Sequence, residues 1–235
     1  MKFIKFTITL IIFFGISSIN QSCKSPKLTQ TNDNSTLEKV EIAEPTDIEA
    51  LYKSLNNGGN IKLKKLIYNL DRPLVISNKS NLTLDGNGST FIMNNKSEDV
   101  LTVRSSDNVT LKNFKATHID PDGPIGCTGS VIQVDNNTNV LIEKCQLNGS
   151  GIIGVVSYNT QNLKVIDNYI YNNSEYGVLF DENTTIEIKD NKFEDNGKNG
   201  NDHVAQALNI YLSEVKKIEK GMNLEGLKMS NNIFN

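Results

Sequence analysis

Asn139-Val140-Leu141-Ile142-Glu143-Lys144-Cys145-Gln146-Leu147 is followed by Asn162-Leu163-Lys164-Val165-Ile166-Asp167-Asn168-Tyr169-Ile170 and then by Thr185-Ile186-Glu187-Ile188-Lys189-Asp190-Asn191-Lys192-Phe193, each copy 23 residues beyond the last. The shared pattern is a polar residue, an apolar-x-apolar pair and another apolar residue five positions on. Three further copies are Leu82/Leu84, Val109/Leu111 with Ala116, and Leu227/Met229 with Phe234. In the first of these Ser89 stands at the third apolar position. Successive anchors lie 27, 31, 23, 23 and 41 residues apart, which is a 23-residue unit with insertions. A fixed period of this length is the mark of stacked structural repeats.

A second apolar-x-apolar pair precedes the anchors: Leu101/Val103, Ile132/Val134, Val155 with Ser157, and Val178/Phe180. Alternation over such short runs predicts strands with one buried face, two to a coil. The constant offset stacks equivalent residues of successive coils over one core. The next column reads Asn87, Phe114, Cys145, Asn168, Asn191 and Asn232. Asparagine there predicts a ladder at one bend, because an amide donates to one coil and accepts from the other and tolerates left-handed backbone.

The ladder, the 23-residue coils and the Asn-x-apolar-x-apolar strands resemble the pectate-lyase-like right-handed β-helices, above all the parallel-β-helix-repeat proteins of bacterial envelopes. The resemblance covers about residues 60–235 and includes the opening Gly58-Gly59-Asn60-Ile61-Lys62-Leu63 and Asn81-Leu82-Thr83-Leu84-Asp85-Gly86. It implies an all-β fold, a right-handed single-stranded parallel β-helix. Ahead of it, Thr46 to Leu55 reads as a short capping helix with Thr46 as N-cap and Ile48, Leu51 and Leu55 on its apolar face. At the other end the sequence offers no comparable lid after Phe234, so the last rung is expected to be exposed, to be covered by a protein partner, or to reflect shortening of a longer ancestor.

Residues 1–23 read as a signal peptide, with Lys2 and Lys5 before the apolar run Phe6 to Ile19, too short for a comfortable membrane span. The run ends at Ser22-Cys23, which resembles the lipidation site of bacterial lipoproteins and implies an acylated Cys23. Residues 24–45 are polar and without periodicity, a tether; residues 46–235 form one domain. The expected location is the cell envelope, lipid-anchored in the periplasm or on the cell surface, with secretion as the alternative. A net charge of -3 and a pI near 5.5 give no electrostatic reason to expect nucleic acid. Cys127 and Cys145, 18 apart in coils of 23, do not stack and read as two unpaired thiols.

Two insertions fall on one turn, between the third apolar position and the next coil. One runs from Thr117 to Ser130 and carries His118, Asp120 and Asp122; the other begins at Glu194 and carries Asp195, Asp202 and His203. The intervening turns are short and contain Asn148 in one coil and Asn172, Glu175 and Tyr176 in the next. With strands about 4.8 Å apart, the two loops would wall a trough on the order of 14 Å wide. A glycan fits such a trough, amides and hydroxyls on its floor binding sugar hydroxyls and His118, His203, Glu175 and Tyr176 available for acid–base work. Each of these residue types is also ordinary turn chemistry. Asp120 and Asp122, two apart, are of the kind that ligate Ca²⁺; no other cofactor is indicated.

Lyases of the resembled group use an Arg or Lys base with Ca²⁺, whereas this domain has only Arg72 and Arg104, which leaves His118, His203 or Tyr176 for that role. The paired aspartates and Gly-His-Gly motif of its glycosidases are absent. The sequence therefore points to an envelope protein that binds or organises glycan, with a polysaccharide lyase or hydrolase and a structural interaction module as the alternatives.

Overall fold

The computed structural model describes residues 42–120, 128–149, 152–197, 208–212, 216–217 and 226–235. The anchors pair in register as parallel neighbours: Leu82 with Val109, Val109 with Val140, Val140 with Leu163, Leu163 with Ile186, and Ile186 with Leu227. The preceding pairs stack in the same way, Leu74 on Leu101, Ile132, Val155 and Val178. Most coils contribute three strands rather than two, because there the third apolar residue lies on a strand of its own. One coil shows the plan: an A strand Ile153–Tyr158, a B strand Gln161–Ile166 and a C strand Tyr169–Tyr171. In two earlier coils B and C run on as the single strands Ser80–Met93 and Asp107–His118. Among the described residues six A strands, with Lys216–Lys217 added antiparallel at the end, form a seven-stranded sheet, and the B and C strands together with Ile42–Ala43 form a thirteen-stranded one. The chain is a right-handed parallel β-helix.

Strand alternation sends every anchor inward. Leu82, Leu84, Val109, Leu111, Ile142, Leu163, Val165 and Ile188 are fully buried, and each such side chain contributes roughly 1.5–3 kcal/mol. The aromatic third positions stack along the axis, Tyr68 on Phe91 with ring centroids 5.7 Å apart and Phe193 on Phe234 at 5.1 Å.

The ladder stands at the B-to-C bend. Asn168 donates from Nδ2 to Ile142 O in the preceding coil at 2.9 Å, and its Oδ1 accepts from Cys145 N at 2.9 Å. Asn191 repeats this one coil on, bonding Val165 O and Asn168 N. The left-handed residue of the bend is the one before the ladder: Asn113, Lys144, Asp167, Asp190 and Asn231 all have φ between 53° and 58°. The ladder amides of Asn168 and Asn191 are buried and that of Asn232 half-buried, and the tight backbone is left to their exposed or half-exposed neighbours. Cys145 occupies the ladder column as a free, buried thiol, which burial pushes up to about 12.

Ser89 is not the third apolar position of its coil. Asp85 and Ser89 lie four positions apart where Lys112 and Phe114 lie two apart, a bulge that brings Phe91 into the core opposite Ala116. Asn87 lies in that bulge with φ 49°, reaching Leu63 O through Nδ2, and Ser89 is the register partner of Phe114.

The helix Ile48–Asn57 buries Leu51 and Leu55 over the first coil. Its N-cap is Asp47 rather than Thr46: Asp47 Oδ1 accepts from Ala50 N at 2.8 Å. Arg72 ties this cap to the coil below, 3.4 Å from Glu49 and 4.1 Å above the Tyr52 ring. The regular structure begins earlier than the predicted tether boundary, since Ile42–Ala43 pairs in parallel with Asn60 and Ile61.

Candidate functional site

His118 closes the strand Asp107–His118 on the same face as Ala116, so it points into the core opposite Met93 rather than onto a trough wall. Its Nε2 donates to Glu98 O at 2.8 Å, and Nδ1 is buried without a partner among the described residues. Burial holds the imidazole below its ordinary value, with Lys96 adding to the effect and the Glu98 carbonyl opposing it. A group whose folded pKa is depressed adds its full stability above the unfolded value of 6.5 and loses it as pH falls toward the folded pKa. Thermal midpoints between pH 7 and 5 are therefore expected to drop more steeply in the wild type than in His118→Gln, whose amide can donate to the same carbonyl without titrating. Equal slopes would remove His118 as the cause.

The other candidates fall into two groups. Asp122, Cys127, Asp202, His203 and Cys23 lie outside the described residues. Asp120, Asn172 and Asp195 occupy left-handed positions with φ of 50°, 54° and 55°, and Asp120 lies 3.9 Å from Lys96. Their residue types are set by the turn they make. The Glu175 and Tyr176 amides both donate to Ile152 O, and Tyr176 takes the strand face of Val178 and Phe180, which point into the core. Asn148 is on the outward face of its C strand but only 6% exposed, its Oδ1 without a partner among the described residues. Among the described residues no three His, Cys, Asp or Glu side chains gather as a metal site.

The floor of the C sheet carries chemistry that the sequence reading passed over. Outward positions align in two columns, Lys115, Gln146, Tyr169 and Lys192 in one and Asn148, Tyr171 and Glu194 in the other. Tyr169 and Tyr171 stack at 4.0 Å with an interplanar angle of 11°. The Tyr169 hydroxyl donates to Glu194 Oε2 at 2.7 Å, and the Lys192 ammonium lies 4.7 Å from the Tyr169 ring centroid while pairing with the same carboxylate. The hydrogen bond to Glu194, with partial burial and the carboxylate's charge behind it, pushes the Tyr169 phenol up to about 12. The only sequence signal was the tyrosine on either side of a core Ile170.

Beside this ledge, at the B-to-C bend of the first coils, runs a groove of about 550 Å³. Lys62, Asp85, Asn87, Lys115, Lys144 and Gln146 line it together with Gly88. Its residues come from four coils, and only stacking brings them together.

The family model described as the right handed beta helix region matches residues 54–216. Among solved structures, the A-module of a mannuronan C-5 epimerase from Azotobacter vinelandii is similar at 12% identity, with a TM-score of 0.24. That match covers 75% of this chain and 60% of the module. No curated protein matches the chain.

Proposed function

The chain belongs to the right handed beta helix region family, and we propose that it binds or organises glycan at the cell envelope, held there through a lipidated Cys23. The observation that carries the glycan reading is the Tyr169–Tyr171 ledge with its polar surround. A stacked ring pair gives an apolar ledge, on which the C–H face of a sugar can rest. Around it the Tyr169 phenol, Lys192, Glu194 and the amides of Gln146 and Asn148 supply the donors and acceptors that hydroxyl groups need. The anchor rests on the apolar run before Ser22-Cys23.

The test is binding of the purified chain to a panel of neutral and acidic polysaccharides, by affinity electrophoresis and calorimetry. The Tyr169→Ala/Tyr171→Ala double variant is expected to bind about tenfold more weakly or worse, a loss of about 1.4 kcal/mol or more. Undiminished binding would take the ledge out of the reading, and release of product that stops in Glu194→Gln would turn binding into catalysis. In fractionated cells Cys23→Ser is expected to leave the membrane fraction; retention there would end the anchor.

A further inference from the structure

We infer that the groove at the B-to-C bend takes the anionic groups of an acidic polysaccharide lying along the helix axis. The inference rests on the glycan reading and adds the charge class and the course of the ligand. Its first support is electrostatic. Lys62, Lys115 and Lys144 line the groove, and Asp85 is its one acidic residue. Asp85 is already engaged: Lys112 Nζ lies 3.9 Å from Oδ2, while Oδ1 accepts from Asn87 N and from Asn113 Nδ2. The groove therefore faces solvent with an excess of positive charge, although the whole chain carries -3. Charge confined in a cleft is felt by a ligand more strongly than the same charge spread over a surface.

The second support is shape. Gly86 and Gly88 flank Asn87 in the bulged bend, and a Cβ at Gly86 would lie 2.5 Å from Phe114 Cβ and 2.9 Å from Asn113 O. A side chain at Gly86 would displace the neighbouring bend, whose Asn113 and Phe114 form part of the groove.

The third support is direction. The lysines stand on different coils, Lys62 beside Asp85, Lys115 beside Gln146, and Lys144 at the bend just before Gln146. From the coil of Lys62 to that of Lys144 is three strand spacings, about 14 Å. A chain spanning several rungs matches that layout, and a single small anion does not. The column Lys115, Gln146, Tyr169 leads from the groove to the tyrosine ledge, so one strand of glycan can engage both. Lysine, a point charge with three rotatable donors, suits carboxylate and sulfate without demanding one geometry.

Dextran, carboxymethyl-dextran and dextran sulfate of matched length isolate charge on one backbone and separate carboxylate from sulfate. At low salt at least one charged form is expected to bind the full chain about tenfold or more tighter than dextran, an advantage that shrinks as salt screens it. The Lys62→Gln/Lys115→Gln/Lys144→Gln variant is expected to lose that advantage while keeping its thermal midpoint. Dextran binding as tightly as both charged forms, or a preference surviving in the triple variant, would overturn the inference. If those results came with binding still lost in Tyr169→Ala/Tyr171→Ala, the glycan reading would stand without it. Polyglutamate binding as tightly as the charged dextrans, with the same lysine dependence, would overturn polysaccharide as the ligand class.

Discussion

Replacing Asn191 with alanine is expected to lower the stability of the domain by about 3 kcal/mol, the amount expected when buried hydrogen-bonding groups are left unsatisfied. Asn191 is 1% exposed and serves two coils at once, since Nδ2 also donates to Asn232 Oδ1 in the next coil at 3.1 Å. Its Nδ2 donates to Val165 O at 2.7 Å, and its Oδ1 accepts from Asn168 N at 2.9 Å and Asn168 Nδ2 at 3.0 Å. Alanine strands the Val165 carbonyl and the Asn168 amide inside the bend. For a domain of this size the thermal midpoint should fall by roughly 6–12 °C. Asn232 provides the comparison, because it makes the same bonds to Asn191 N and Ile188 O at 3.0 and 2.8 Å but is only half-buried. Water can take its place, so Asn232→Ala should cost about 1 kcal/mol. Thermal unfolding followed by circular dichroism measures both. Equal losses would show that the ladder's value does not depend on burial.

The ladder was legible because identical side chains recur in one column, and a column is visible in any sequence with a constant coil length. The same holds for the six anchors, whose predicted partners are the observed ones. What failed was phase. The spacing of the repeat places His118 in a turn beginning at Thr117, but the strand runs two residues further and parity then turns His118 into the core. The left-handed residue was placed on the ladder itself, yet a buried amide that must bond both neighbouring coils leaves the sharp backbone to the residue before it. Lys62, Lys115 and Lys144 are scattered in the sequence and form no basic run. They share a groove only because parallel stacking converts separations of 53 and 29 residues into a few strand spacings. The tyrosine ledge is hidden in the sequence for a related reason: alternation about the core residue Ile170 accounts for the strand, and only the structure shows that the outward residues flanking it stack.

The bulge between Asp85 and Ser89 gives two predictions of opposite origin from one coil. Counting five residues from Leu84 makes Ser89 the third apolar position, and on that count a larger apolar side chain there should fill a gap. The observed register makes Phe91 that residue, fully buried between Tyr68 at 5.7 Å and Phe114 at 5.2 Å. Phe91→Ala is therefore expected to cost about 3–5 kcal/mol, combining the lost transfer energy with the cavity left among fixed neighbours. Ser89→Val should also destabilise, by about 1–3 kcal/mol. Ser89 Oγ donates to Lys64 O at 2.9 Å and accepts from Leu66 N at 3.3 Å, and valine would leave both groups unpaired. Denaturant unfolding of the two variants separates the registers: a stabilised Ser89→Val with a mild Phe91→Ala would restore the counted register, and losses in both would fix the bulge as the device that keeps this coil in step with its neighbours.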